Sequence, residues 1–219
     1  MLFYTTDDSR FKAAAETRKR EIEGQRGFDK TKDRVYIQQL GDLGTLGDRV
    51  NNIVQDATEN GYGQTVEASF WGHSGSEDGL RSNILTSGKY ATTDGGKNQL
   101  TGEGWSKINF NFDKENSIAA FYGCKSYSFA EKFLSYQPSV AFTAGQGGSA
   151  GPSYSTEKFN NVSFIYRFTE TSKNVYYGIR DNGNFVGPTV YSRRTGIENY
   201  DIVRGNVSVI KGKLQNVMK

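Results

Sequence analysis

The sequence predicts one α/β domain whose mostly parallel sheet is covered by helices on both faces. Short apolar runs of strand length alternate with segments of helical period along the first two thirds of the chain, an order typical of β-α-β units. The chain has 219 residues, 35% of them hydrophobic, which is enough to bury one sizeable core. We therefore expect a single domain over 1–219, with an α/β core over 1–157 and a β-rich extension over 158–219.

The first two units each pair a strand with a helix. Residues 2–6 predict the first strand, and a helix follows from Asp7 or Asp8 as cap to Gly24 as stop. Residues 34–40 predict the second strand, and 45–61 the second helix. The apolar residues that recur at helical spacing are Phe11, Ala14, Ala15 and Ile22 in the first helix, and Leu46, Val50, Ile53, Val54 and Ala57 in the second.

Three more apolar runs complete the predicted sheet, at 65–71, 117–123 and 139–145. A short amphipathic helix over 128–137 precedes the last of them. Phe70 and Trp71, at the end of the third strand, are expected to pack in the core.

Two polar segments and the tail complete the organisation. The glycine-rich segment 74–107, with a short helix near 102–108, and the Gly/Ser-rich segment 144–157 are each long enough to suggest loops that flank a functional cleft. The tail predicts antiparallel strands, at 161–169, 174–180 and 206–212.

Composition excludes several classes of function. The net charge of +3 is spread along the chain, so we expect no nucleic-acid groove, and runs such as the one over 17–21 should be solvated faces. No apolar run reaches the ~20 residues of a membrane helix, and the N-terminus lacks the pattern of a Sec signal. A single cysteine excludes an internal disulfide and a Cys-rich metal site, and no cofactor is expected.

The only histidine and the only cysteine occupy equivalent places. His73 follows the third strand and Cys124 follows the fourth, each directly after a glycine. In an open α/β sheet, ligands bind outside the carboxyl ends of the strands. If the two strands are neighbours, the imidazole can activate the thiol as a nucleophile, and glycines beside them leave backbone N–H groups accessible to an oxyanion.

These residues also admit two other interpretations. Either residue alone is more often structural, the cysteine as a small buried apolar side chain and the histidine as a hydrogen-bonded turn residue. The segment "GHSGS" resembles a serine-hydrolase elbow, but the chain has no second histidine to serve Ser74 as base. Counting therefore excludes a serine triad, whereas the matching strand ends favour a His/Cys dyad.

A strand ending in "FWGHSG", about fifty residues before a strand ending in "FYGC", resembles the caspase, gingipain and legumain group of cysteine peptidases. The resemblance implies a caspase-like three-layer sandwich, with His73 as general acid/base and Cys124 as nucleophile. It also implies an oxyanion hole at Gly123 and Gly75. Its donors would be the backbone N–H of Cys124, which follows Gly123, and the backbone N–H of Gly75. Ser74 is a departure, because in that group a glycine usually follows the histidine directly.

Substrate contacts are predicted at two residues near the dyad, Asp78 and Ser126. With the neighbouring acids Glu77 and Asp94, Asp78 is a candidate partner of the imidazole or of a basic substrate side chain. The alternative is that these acids are only solvated.

A second likeness covers residues 1–155. The segments "DSRFKAAAETRKREIEG", "WGHSGSEDG", "GWSKINF" and "IAAFYGCKSYSFAEKFLS" resemble C-terminal domains of bacterial Rhs-type polymorphic toxins. This implies an effector delivered without a Sec signal, by a type VI or related system, that cleaves a protein or peptide inside a competing cell and has a cognate immunity protein. The alternative is a non-catalytic binding or delivery module with the same fold and a buried cysteine.

Overall fold

The structure, a computed structural model, describes residues 1–75, 79–82, 84, 90, 98–145, 149–153, 176–181, 184–186, 189–192 and 196–200. From residue 149 onward, the structure describes the backbone only.

Strands and helices alternate as the apolar pattern predicts. The chain begins with β1 (Leu2–Thr5), α1 (Ser9–Glu23), β2 (Ile37–Leu40), a 3-10 turn (Leu43–Thr45), α2 (Leu46–Glu59) and β3 (Glu67–Trp71). A hairpin of β4 (His73–Gly75) and β5 (Gly79–Arg81) follows, and then α3 (Gly102–Ser106), β6 (Ile118–Tyr122), α4 (Tyr127–Tyr136) and β7 (Phe142–Gly145). Five further strands are described by their backbone alone: β8 (Ser149–Ser153), β9 (Tyr176–Asp181), β10 (Asn184–Val186), β11 (Thr189–Ser192) and β12 (Gly196–Tyr200).

Local signals set the ends of the first two helices. Of the two candidate caps of α1, Asp8 fills the position, because its side chain accepts a hydrogen bond from the backbone N–H of Arg10 at 2.8 Å. Gly24 is the C-cap of the same helix, as expected. Just past α2, Gly61 has φ +74°, a left-handed conformation that favours glycine at a helix end.

The main sheet contains seven of the described strands, in the order β12-β11-β7-β6-β3-β1-β2. The five strands from β7 to β2 are parallel to their neighbours, whereas β11 and β12 pair antiparallel. The strands β8, β9 and β10 form a separate antiparallel sheet. The predicted mostly parallel α/β sheet is therefore confirmed.

Apolar side chains are buried on both faces of the main sheet, in two separate clusters. One cluster joins the strand residues Phe3, Phe70 and Phe121 to side chains of α2, α3 and α4. The other joins Leu2, Trp71 and Tyr122, which alternate with them along the strands, to side chains of α1. Helices thus cover both faces, and the expected core positions of Phe70 and Trp71 are confirmed.

The β-rich extension over 158–219 stays a prediction. The strand β9 overlaps the predicted run at 174–180 and ends one residue beyond it, whereas the runs at 161–169 and 206–212 lie outside the described residues. In the part of the chain that the structure describes, every helix is too short or too polar to span a lipid bilayer.

The expectation that the charged run over 17–21 forms a solvated face is wrong for Arg18. Its side chain is buried, and its guanidinium donates two hydrogen bonds to the carboxylate of Glu67 on β3, at 3.0 and 2.7 Å. This pair ties α1 to the sheet.

Candidate active site

The strands that precede His73 and Cys124 are neighbours in the sheet. β3 and β6 pair in parallel, with Trp71 opposite Tyr122 at their carboxyl ends. One residue further on, the N–H of Gly72 still donates to the carbonyl of Tyr122 at 3.3 Å. The predicted adjacency of the two strands is confirmed, so His73 and Cys124 leave the same edge of the sheet at matching positions.

Glycines let the segments that follow β3 and β6 approach each other at this edge. A Cβ on Gly123 would lie 2.7 Å from the carbonyl oxygen of Gly72, closer than real Cβ contacts allow. A Cβ on Gly72 would lie 2.7 Å from Oγ1 of Thr5, the last residue of β1. Both glycines are therefore required by close packing.

His73 presents an accessible imidazole. Its side chain is 63% exposed, and its ring meets the buried ring of Phe11 edge-on at a centroid distance of 5.3 Å. Nε2 of His73 lies 3.9 Å from Oδ2 of Asp7. The imidazole is thus open to solvent on one side and bounded by Phe11 and Asp7 on the other.

Asp7 is the residue that the sequence interpretation missed at this site, because it was considered only as a helix cap. Asp7 follows β1, which pairs with β3 on the side opposite β6. Its carboxylate therefore reaches the edge at which His73 emerges. The available signal was an acidic residue just after the first apolar run. This signal points to the site only when the order of the strands in the sheet is known.

Asp8 adds a second carboxylate near the imidazole, but it already has a cationic partner. Arg10 donates to both carboxylate oxygens of Asp8, and these hydrogen bonds hold the pKa of Asp8 below its usual value. The charge of His73 makes a smaller contribution in the same direction.

Cys124 lies half-buried in the turn after β6. Its carbonyl oxygen accepts a hydrogen bond from Oγ of Ser74 at 2.6 Å, so the residue that departs from the peptidase pattern connects the His and Cys segments. Lys125, the next residue, has φ +52°, which marks a sharp change of chain direction before α4.

The other predicted site residues have different outcomes. Ser126 is completely buried, and its hydroxyl donates to the carbonyl of Phe121 at 2.7 Å, which stabilises the turn and leaves no surface for substrate. Gly75 pairs with Gly79 in the β4–β5 hairpin, and Gly123 directly follows β6. Asp78, with Glu77 and Asp94, lies outside the described residues.

A cavity of about 370 Å³ lies at the opposite edge of the sheet. Its lining includes residues that precede β1, β2 and β3, among them Met1, Tyr36 and Val66, and excludes His73 and Cys124. Within the described ranges, no group of three or more His, Cys, Asp or Glu side chains is arranged to hold a metal ion.

Comparison of the chain with protein-family models, with curated proteins and with solved structures finds no match in any of the three. The geometry at the carboxyl edge of the sheet is therefore the basis on which a function can be inferred.

Proposed function

We propose that this protein is a cysteine endopeptidase in which Cys124 is the nucleophile and His73 the general acid/base. One observation carries the proposal: the only imidazole and the only thiol of the chain follow the carboxyl ends of two adjacent parallel strands. This edge is where α/β sheets hold their reacting groups. The exposure of His73 further supports a role in chemistry, since a substrate can reach it.

The reaction needs only these two side chains and water. His73 accepts the proton of the Cys124 thiol, and the thiolate attacks the peptide carbonyl to form a C–S bond. Backbone N–H groups stabilise the oxyanion, and the candidates are those of Gly75 and of Cys124, which follows Gly123. The C–N bond then breaks as His73 protonates the leaving amine, and a water deprotonated by His73 hydrolyses the acyl-enzyme to a carboxylic acid and the free thiol.

We extend the proposal to a caspase-like three-layer sandwich. The five parallel strands between α1 on one face and α2, α3 and α4 on the other support it. We further propose, on the resemblance to Rhs-type toxin domains, that the peptidase acts inside a competing cell and is neutralised by an immunity protein.

The test compares Cys124→Ala and His73→Ala with wild type. We expect each variant to abolish growth inhibition in a sensitive bacterium and cleavage of a protein substrate, because nucleophile and base act as a unit. The Cys124→Ala change should cost only about 1 kcal/mol of stability, so thermal melting separates lost chemistry from lost fold. Gln64→Ala, at the cavity on the opposite edge, is the matched control and should keep full activity. A folded Cys124→Ala protein with full toxicity would overturn the proposal.

The cavity at the opposite edge favours one alternative, a non-catalytic binding or delivery module. Its volume is within the range of small-ligand sites, and it is separate from the dyad. Iodoacetamide near neutral pH discriminates the two, because the chain has a single cysteine. Rapid alkylation of Cys124, slowed at least about tenfold by His73→Ala, supports the peptidase, whereas an inert thiol supports the module.

A further inference from the structure

A buried hydroxyl, a carboxylate and the imidazole lie in sequence at the carboxyl edge of β1 and β3. Thr5 ends β1 and is 1% exposed, and its Oγ1 donates a hydrogen bond to Oδ1 of Asp7. The second carboxylate oxygen of Asp7, Oδ2, lies 3.9 Å from Nε2 of His73. The side chain of Asp7 is only 14% exposed, so solvent competes little for this carboxylate.

We propose that Asp7, oriented by Thr5, positions His73 and fixes Nε2 as the protonated nitrogen of the neutral imidazole, which leaves Nδ1 to exchange protons with the thiol and the leaving amine. This inference deepens the proposed peptidase function and rests on it for its catalytic meaning. Asp7 and Thr5 are positioning residues, since they act through His73.

The environment of His73 gives Asp7 this role. The ring contact with Phe11 limits the tilt of the imidazole but does not distinguish its two nitrogens. Asp8 is occupied by Arg10, and Arg81 lies opposite His73 in the β4–β5 hairpin as a cation rather than an acceptor. Because the hydrogen bond made at one ring nitrogen sets which nitrogen carries the proton, the nearby Asp7 carboxylate selects Nε2–H. A distance of 3.9 Å is long for a hydrogen bond, as is common in catalytic sites without substrate.

The position of Thr5 depends on the glycine next to His73. Oγ1 of Thr5 lies 2.7 Å from where a Cβ of Gly72 would stand, so a larger residue there would displace the hydroxyl. Gly72 therefore makes space for the group that orients Asp7, in addition to allowing the close approach of β6.

The test uses the fact that the chain has one histidine and one cysteine. In ¹⁵N-labelled protein, the two nitrogen shifts of the only imidazole report its tautomer directly. We expect Nε2–H in wild type and a shift toward Nδ1–H in Asp7→Asn, because the amide can turn its N–H toward Nε2. Alkylation of Cys124 by iodoacetamide at neutral pH should slow about tenfold in Asp7→Asn and about threefold in Thr5→Val.

Asp8→Asn is the matched control. It makes the same charge change one residue away, and asparagine is as good a helix cap as aspartate. We expect it to leave the tautomer unchanged and the alkylation rate within about twofold of wild type. Thr5→Ser, which keeps the hydroxyl, should restore the wild-type values and exclude a packing defect as the cause of the Thr5→Val effect.

The two proposals fail in different ways. If the wild-type thiol is inert to iodoacetamide, the peptidase proposal is overturned, and the tautomer still tests the positioning of His73. If the wild-type thiol reacts rapidly and Asp7→Asn changes neither the tautomer nor the rate, the peptidase proposal is supported and the role of Asp7 is overturned.

Discussion

The two faces of the main sheet bury different kinds of side chain. On the face covered by α2, α3 and α4, the ring of Phe70 stacks between Phe3 and Phe121 at centroid distances of 5.1 and 5.0 Å, and Trp105 meets it edge-on at 5.6 Å. On the α1 face, several of the buried side chains are small, including Ala14, Ala15, Ala120, Ala141 and Ala144. Among the described residues, the first face buries nine aromatic side chains, and we call it the aromatic face. The α1 face buries five, including the stacked pair Trp71 and Tyr122, and its alanines let the helix backbone approach the strands.

The α1 face also contains a buried ionic cluster. The Arg18 guanidinium is held by both carboxylate oxygens of Glu67, and it lies 3.3 Å from a carboxylate oxygen of Glu21. Ser69 donates a further hydrogen bond to Glu67 at 2.6 Å. We expect directional contacts of this kind to fix the register of α1 on β3 more than they stabilise the fold.

The two faces therefore differ in what they determine: one mainly the stability of the fold, the other also the position of His73. The aromatic face buries large apolar area, which is the main source of folding free energy. The α1 face is the one that contacts His73, through Phe11 at the start of α1, with Asp7 in the turn before it. The comparison predicts that changes on the aromatic face mainly affect the free energy of unfolding, and that changes on the α1 face also affect the site.

The largest effect on stability is expected from Phe121→Ala. Phe121 is 3% exposed and contacts four other rings, so its truncation leaves a cavity and should cost about 4 kcal/mol of unfolding free energy. Urea denaturation measures it, with half-buried Phe28→Ala as a control that should cost less than about 2 kcal/mol. A loss for Phe121→Ala no larger than that of the control would show that the aromatic face is not the main source of stability.

A smaller loss is expected from Arg18→Met, at about 3 kcal/mol, because Glu67 is left buried without its cation. The double variant Arg18→Met/Glu67→Leu should recover most of this loss, since two apolar side chains can then pack together. We also expect the single variant to slow alkylation of Cys124, because α1 carries Phe11 against His73. Urea denaturation and iodoacetamide kinetics on the same samples test both parts, and a double variant no more stable than the single one contradicts the first.

The smallest effect is a pH dependence from Glu21. Burial raises the pKa of Glu21 to about 7, against the opposing charge of Arg18. A group with a raised pKa in the folded state stabilises the fold at low pH, and this contribution is lost as pH rises from its unfolded value of 4.5 through about 7. The stability of wild type relative to Glu21→Gln should therefore fall across this interval. Measuring the difference between the two proteins cancels the other titrating groups, and a flat difference would contradict the prediction.

Glu67, in the same ionic cluster, predicts a loss of stability at acid pH. Burial works to raise its pKa, but the charge and hydrogen bonds of Arg18 outweigh burial and hold that pKa below its usual range. Its contribution to stability is therefore present above the unfolded pKa and lost as the pH falls below it. In Glu67→Gln, this loss at acid pH should be absent.

Much of the fold could be predicted from the sequence because strand and helix periods differ. The buried positions Phe11, Ala14 and Ala15 follow from their spacing alone, as does the end of α1 at Gly24. The short hairpin of β4 and β5 was not predicted, since a glycine-rich polar segment has no apolar alternation to indicate strands.

The site could be predicted only in part. His73 and Cys124 are recognisable as single residues at strand ends, but Asp7 becomes their neighbour through a sheet order in which β1 lies beside β3. The burial of Arg18 was missed because a run of charges usually faces solvent. A carboxylate within the apolar third strand, at Glu67, was the available signal that a buried cation must pair with it.

The hydrogen bond from Ser74 to the carbonyl of Cys124 has a mechanical consequence. It joins the β4–β5 hairpin, which begins at His73, to the turn that holds the thiol. A displacement of the hairpin would therefore act on the backbone of Cys124 through one hydroxyl group.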